Sequence, residues 1–169
     1  LRFKRERSKF SYFYITVMVV LGDWLTKYLV QDILPLYNSF KIRDGFFSIV
    51  HVRNYGTAFG FMNQGRETFF NNVFFISASI VALFLIFYLI VKENPSNRLS
   101  LISLFLILGG IIGNQGERLF HGYVTDFLDF YIGVHHWPAF NIADSAITVG
   151  LVIYFFANYI FNGELKNAS

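Results

Sequence analysis

Four stretches of this chain approach the roughly 20 apolar residues that an α-helix needs to cross a bilayer. They run from about Phe10 to Val30, Phe69 to Val91, Leu99 to Gly113 and Ile142 to Phe161. Charge is scarce, at 15% of residues against about 25% in an ordinary soluble domain, while 54% are hydrophobic and the mean hydropathy is +0.46. The expectation is an all-α polytopic membrane protein, a single membrane domain over residues 1–169 with four transmembrane helices. Cysteine is absent, which excludes a thiol nucleophile, a disulfide and a thiolate metal site.

The net charge of +3 is unevenly placed. Arg2, Lys4, Arg5, Arg7 and Lys9 crowd the start, with Glu6 the one acid among them. A nucleic-acid partner is not expected, because the aromatic residues that would stack bases are spent on the apolar spans. A basic arm directly before such a span is read instead as a cytoplasmic retention signal or a contact with anionic lipid. A signal peptide would begin in the same way, but no small-residue cleavage site follows and the span carries Asp23 and Lys27, so it is kept in the mature protein. Outside the spans, the N-terminal arm with Lys92, Arg98 and Lys166 outnumbers Lys41, Arg43, Arg53, Arg66 and Arg118. Both termini are therefore expected in the cytoplasm, with the larger loops on the outer face.

Lys92 to Arg98 is a short polar loop broken by Pro95, so the second and third spans should be antiparallel neighbours. Residues 31–68 are too many for a turn. Phe47-Ser48-Ile49-Val50-His51-Val52 is β-branched and partly alternating, and Asp44-Gly45 and Asn54-Tyr55-Gly56 are turn signals. A small extracytoplasmic β-subdomain of two or three strands, resting on the bilayer surface, is expected there. Residues 114–141 are read as an outer loop carrying chemistry.

Two carboxylates stand out at membrane depth, Asp126 and Asp144. A charge placed so costs about 2.5–3.5 kcal/mol on insertion scales and marks a functional site by default. Asp144 has a bland explanation as the third residue of a helix capped by Asn141. Asp126 has none, and the pair together suggests water activation. One carboxyl must be ionised to act as base and the other neutral to donate to a carbonyl oxygen. A helix N-terminus favours negative charge near Asp144, and apolar neighbours such as Phe127 and Phe140 favour the neutral form of Asp126, while the sequence leaves open which of the two holds the shared proton.

Supporting polar groups gather at the same end. Asp23 and Lys27 lie four apart, on one helical face, where they can pair. The competing reading is an anchor, with Lys27 snorkelling to the headgroups and Trp24 in an aromatic belt. Gly109 and Gly113 form a small-xxx-small pair for close helix packing. After them Asn114-Gln115-Gly116-Glu117-Arg118 is a polar run that packing does not explain, with Arg118 suited to a bidentate carboxylate clamp. His121, His135, His136, Glu117, Asp126 and Asp129 offer metal ligands, but in no spacing of known ligand geometry. Ser145 lies in no Gly-x-Ser-x-Gly turn. A proton-coupled transporter using Asp23, Asp126 and Asp144 as a relay, and a non-catalytic scaffold, stay open on these grounds alone.

Five motifs in order, Asp23-x-x-Thr26-Lys27, Asn54-x-Gly56-x-Ala58-Phe59, Gly109-Gly110-x-x-Gly113-Asn114 with Arg118, Val124-x-Asp126-Phe127 and Phe140-Asn141-x-Ala143-Asp144-Ser145, resemble those of the bacterial lipoprotein signal peptidases (signal peptidase II). That resemblance covers nearly the whole chain. It implies an intramembrane aspartyl endopeptidase of the bacterial inner membrane, needing no cofactor and no metal. It implies a catalytic dyad of Asp126 and Asp144, supported by Asp23, Lys27, Asn54, Gly56, Asn114, Arg118 and Asn141. It further implies cleavage of diacylglyceryl-modified prolipoproteins before the lipidated cysteine, contact with membrane lipids, a monomer, and inhibition by compounds such as globomycin. Where the family usually shows Asn-apolar-apolar-Asp-Arg, this chain has Asn114-Gln115-Gly116-Glu117-Arg118, longer by a methylene at the acid.

Overall fold

A computed structural model describes residues 8–56 and 69–167. A 3-10 turn at Lys9–Tyr12 leads into helix α1 (Phe13–Ile33), strands β1 (Ser39–Arg43) and β2 (Phe47–Asn54), helices α2 (Phe69–Lys92) and α3 (Arg98–His121), strands β3 (Val124–Ile132) and β4 (His135–His136), and helix α4 (Ile142–Asn167). Each of the four helices is long and apolar enough to span a bilayer. Ala58, Phe59 and Arg66 lie outside the described residues, as do Arg2, Lys4, Arg5 and Arg7 of the basic arm.

Helix α3 is central and packs against the other three. Small residues let it do so. A Cβ built on Gly109 would stand 2.8 Å from Cβ of Val19 on α1, and Gly110 lies against Ala143 and Ile147 of α4. Between membrane helices, where lipid supplies no hydrophobic drive, such close approach is a main source of association. Thr16 adds a buried bond, donating from Oγ1 to the Phe105 carbonyl at 2.8 Å. The dry core is Ile86 and Ile90 of α2 with Leu104, Phe105 and Ile107 of α3. Leu21 and Leu25 of α1, Phe84 and Phe87 of α2 and Leu151 and Phe155 of α4 point outward, as lipid-facing residues do.

Opposite ends of the bundle are built differently. At one end Lys9 Nζ donates to the Val91 carbonyl at 2.7 Å, joining the start of α1 to the end of α2. The short link to α3 is closed by Asn97, whose Oδ1 accepts from the Ser100 N–H at 3.2 Å. At the other end lies one antiparallel sheet in the order β1-β2-β3-β4.

That sheet has four strands rather than two or three, and it is not confined to residues 31–68. The Asp44-Gly45 signal does make the β1–β2 turn, with Gly45 at φ 74°. Strand β2, however, continues outward by pairing with β3, where Phe47 faces Phe130, Ile49 faces Leu128 and Val52 faces Asp126. The two outer segments are thus one sheet, and the pairing removes an unpaired edge that either segment alone would leave. A second difference concerns α3, which runs two turns beyond Gly113 to His121 and ends at Gly122, φ 75°. The polar run 114–118 is helical rather than loop, because its polar side chains find partners on α1, β3 and α4.

Candidate active site

Asp126 is the third residue of β3 and Asp144 the third of α4, and both face one cavity of about 250 Å3. Asn54, Gly56, Phe75, Asn114, Arg118 and Val124 complete its lining. Register delivers Asp126 there, since β3 sets it opposite Val52 on the β2 strand that ends at Asn54. Capping delivers Asp144. Its backbone N–H donates to Asn141 Oδ1 at 3.0 Å and its Oδ2 accepts from the Asn141 N–H at 3.2 Å. This reciprocal pair fixes the first turn of α4.

Three asparagines surround the two acids, and each has its amide polarity fixed by a second partner. Asn54 Oδ1 accepts from the Gly56 N–H at 2.8 Å, so its Nδ2 donates to Asp126 Oδ2 at 3.0 Å. Asn141, fully buried, has its Oδ1 on the Asp144 N–H, and its Nδ2 donates to Asp126 Oδ1 at 2.7 Å. Asn114 Oδ1 accepts from Lys27 Nζ at 2.9 Å, leaving Nδ2 to donate to Asp144 Oδ1 at 2.7 Å. Asparagine side chains therefore offer the carboxylates only donors.

Gly56 has a geometric reason to be glycine. Its φ is 97°, and a Cβ there would run into the ring of Phe75. The same turn presents the N–H that holds Asn54.

Behind the cavity stands a buried ionic cluster. Lys27 Nζ lies 2.7 Å from Asp23 Oδ2 and 3.2 Å from Glu117 Oε2. Lys27 is 2% exposed, so the snorkelling reading fails: three partners inside the bundle replace water at its ammonium. Asp23 Oδ1 accepts from the Ala143 N–H at 2.9 Å, filling another donor of the α4 first turn. Trp24 is half-exposed but bonds inward, Nε1 donating to the Gly113 carbonyl at 3.0 Å.

Glu117 gathers the remaining bonds. It accepts from the Thr125 N–H at 2.9 Å, Thr125 Oγ1 at 2.6 Å and Gln31 Nε2 at 3.0 Å. Thr125 precedes Asp126, so Glu117 ties the start of β3 to α3 and α1. Gln31 and Thr125 escaped the sequence reading. A signal for Gln31 existed in the polar stripe Asp23, Lys27, Gln31 at four-residue spacing on α1.

Arg118 departs from expectation. No described carboxylate lies within 4.0 Å of it. Its guanidinium sits over the Phe75 ring, 5.0 Å from the centroid, and Nη2 reaches the Asn54 carbonyl at 3.5 Å. As the residue after Glu117, it projects to the cavity side while Glu117 takes the ionic cluster.

The metal-ligand candidates disperse. His136 Nδ1 lies 2.9 Å from Asp129 Oδ1, while the His121 ring tilts against Tyr123 at 5.7 Å. Among the described residues no three His, Asp or Glu side chains form a set able to hold a metal ion.

Burial first, and then the neighbouring Asp144 carboxylate, push the Asp126 carboxyl up from 3.8 to about 7. The bonds from Asn54 and Asn141 offset part of that rise.

A family model described as signal peptidase (SPase) II matches residues 15–160. A lipoprotein signal peptidase of Francisella tularensis subsp. mediasiatica is 43% identical over 147 residues, covering 87% of this chain and 90% of the relative. One from Syntrophus aciditrophicus is 44% identical over 135 residues, 80% of this chain and 83% of the relative. Two solved structures, each described as a bacterial membrane enzyme structure by the in meso method, are 31% identical. They superpose with TM-scores of 0.75 and 0.74, the first covering 87% of this chain and 91% of its own, the second 94% and 90%. By matches over most of its length in sequence and in fold, the chain belongs to the signal peptidase II family of membrane proteases.

Proposed function

We propose that this protein is an intramembrane aspartyl endopeptidase whose catalytic residues are Asp126 and Asp144, and that it cuts diacylglyceryl-modified prolipoproteins before the lipidated cysteine. The observation that carries this reading is that both carboxyls face one small cavity and are linked through Asn141, which donates to Asp126 and caps the Asp144 N–H.

In this reading the dyad holds one proton, kept on Asp126 by its burial. Asp144, which accepts from Asn114 and the Asn141 N–H at the positive end of α4, takes a proton from the attacking water. The Asp126 proton goes to the scissile carbonyl oxygen, giving a neutral tetrahedral intermediate. Collapse passes the proton on Asp144 to the departing nitrogen, breaks the C–N bond and returns a diol hydroxyl proton to Asp126, which restores the dyad. Asn54, Asn114 and Asn141 hold the carboxyls in place, and the Gly56 turn holds Asn54. Asp23 and Lys27 fix the start of α4. Arg118, with no described carboxylate beside it, is placed to donate to a substrate carbonyl or headgroup. Acid–base chemistry of this kind calls for no cofactor.

The charge bias supports both termini in the cytoplasm and the sheet on the outer face, where the lipid-modified end of a signal helix would lie. Action as a monomer and inhibition by globomycin-type compounds follow from the family resemblance. The test is a gel-shift cleavage assay on a diacylglyceryl-modified prolipoprotein in detergent, with wild type, Asp126→Asn and Asp144→Asn, each with and without a chelator. Cleavage that survives the chelator and vanishes in both folded variants is expected. Near wild-type cleavage by either variant would remove that aspartate from the mechanism.

A further inference from the structure

The hairpin that joins β3 to β4 ends in a turn of the wrong chemistry for water. Turns at a solvent-facing tip draw on Asn, Asp, Ser, Gly and Pro, yet here Ile132 and Val134 flank Gly133, and they are 76% and 87% exposed. Trp137, just past β4, is 68% exposed. From Phe130 to Ala143 the sequence holds no Asp, Glu, Lys or Arg.

We propose that this hairpin tip is a second membrane anchor, with Ile132, Val134 and Trp137 seated in the headgroup and upper acyl region of the leaflet at the sheet's end of the bundle. A bilayer surface suits the patch, because Ile132, Val134 and Trp137 offer apolar and aromatic groups to the acyl boundary while the exposed His135 and the Asp129-paired His136 can stay at headgroup level. Continuity with the membrane-spanning part supports the assignment. Phe130, in the hairpin, stacks on Phe140 at 5.9 Å, and Phe140 directly precedes Asn141, the cap of the spanning helix α4. The backbone is also prepared for an apolar setting. Tyr131 pairs with His136 and Ile132 with His135, and the Trp137 N–H donates to the Phe130 carbonyl at 2.8 Å. Paired backbone is what contact with lipid demands. An indole with an apolar body and one N–H is suited to the interface.

Trp24 and Trp137 are the two tryptophans of the chain, so Trp24→Phe leaves Trp137 as sole reporter. That variant, confirmed active, would be placed in vesicles of phosphatidylethanolamine and phosphatidylglycerol, with and without acyl chains brominated near the headgroup. The expected result is blue-shifted emission, strong quenching by the brominated lipid and several-fold weaker iodide quenching than for free tryptophan. Adding Ile132→Asn and Val134→Asn should shift emission to the red, open Trp137 to iodide and abolish the lipid quenching. Full iodide access with no lipid quenching in the parent would overturn the anchor. Iodide protection that disappears when the protein is diluted with excess lipid would overturn it in favour of a second copy of the chain.

Discussion

Asn141 Nδ2 donates to Asp126 Oδ1 across 2.7 Å, joining the residue before α4 to the first half of β3. The bond spans two elements that the chain makes 15 residues apart, and it sets where one proposed catalytic carboxyl lies. Removing the donor while keeping the cap separates the two jobs of Asn141.

Asn141→Ser should do this, since serine caps a helix nearly as well as asparagine but is too short to reach Asp126. A hydrogen bond to a charged group contributes about 1.5–3 kcal/mol. If all of it is felt in the transition state, kcat/KM falls by about 10- to 100-fold. Cleavage kinetics in detergent, read beside an unfolding midpoint that changes little, check this.

Activity should fall as pH rises through about 7, because the neutral Asp126 that donates in the proposed mechanism is lost above the value to which burial and Asp144 push it. Stability follows the same direction. A carboxyl raised above its unfolded value of 3.8 holds its proton more tightly in the folded state, so its contribution is full below that value and is lost as pH climbs through about 7. Asp126→Asn, which cannot titrate, should flatten this part of the midpoint-against-pH curve. A variant with the same alkaline decline as wild type would assign the effect elsewhere.

Glu117→Gln should be costly despite its matching size. Lys27, Gln31 and both donors of Thr125 converge on two carboxylate oxygens. An amide offers one oxygen, and its NH2 would face donors. The expected loss is about 1–3 kcal/mol for each bond left unmade, seen as a lower unfolding midpoint. Because Thr125 adjoins Asp126, kcat should drop more than KM changes.

Gly56→Ala should fail for two reasons that a second substitution can tell apart. The left-handed backbone costs a residue with a Cβ about 1–2 kcal/mol, and the methyl meets the Phe75 ring. Phe75→Leu in the Gly56→Ala background should relieve the contact but not the strain, restoring cleavage in part. Full recovery would show that the backbone angle at Gly56 is unimportant.

The spans were legible in the sequence because a helix in lipid carries its own backbone bonds, so length and hydropathy suffice to find it. Asp23 with Lys27, and Asn141 with Asp144, were legible for a related reason: each pair lies within one turn of helix, where spacing fixes geometry. What sequence could not determine was every relation across elements. The end of α3 was misplaced because Asn114 and Glu117 look like loop residues until Lys27, Thr125 and Asp144 are there to receive them. Strands β3 and β4 were read as loop because the pairing of β2 with β3 reaches from residue 47 to residue 130. Lys27 was open to an anchor reading because Asp23 on its own helix is one partner of three, and the other two, Asn114 and Glu117, come from α3. Local periodicity thus determined which segments are helix and which residues share a face. Tertiary structure decided which polar groups meet, because a buried hydrogen bond or ion pair is specified by both partners and their shared isolation from water, and a single strand of sequence shows one partner at a time.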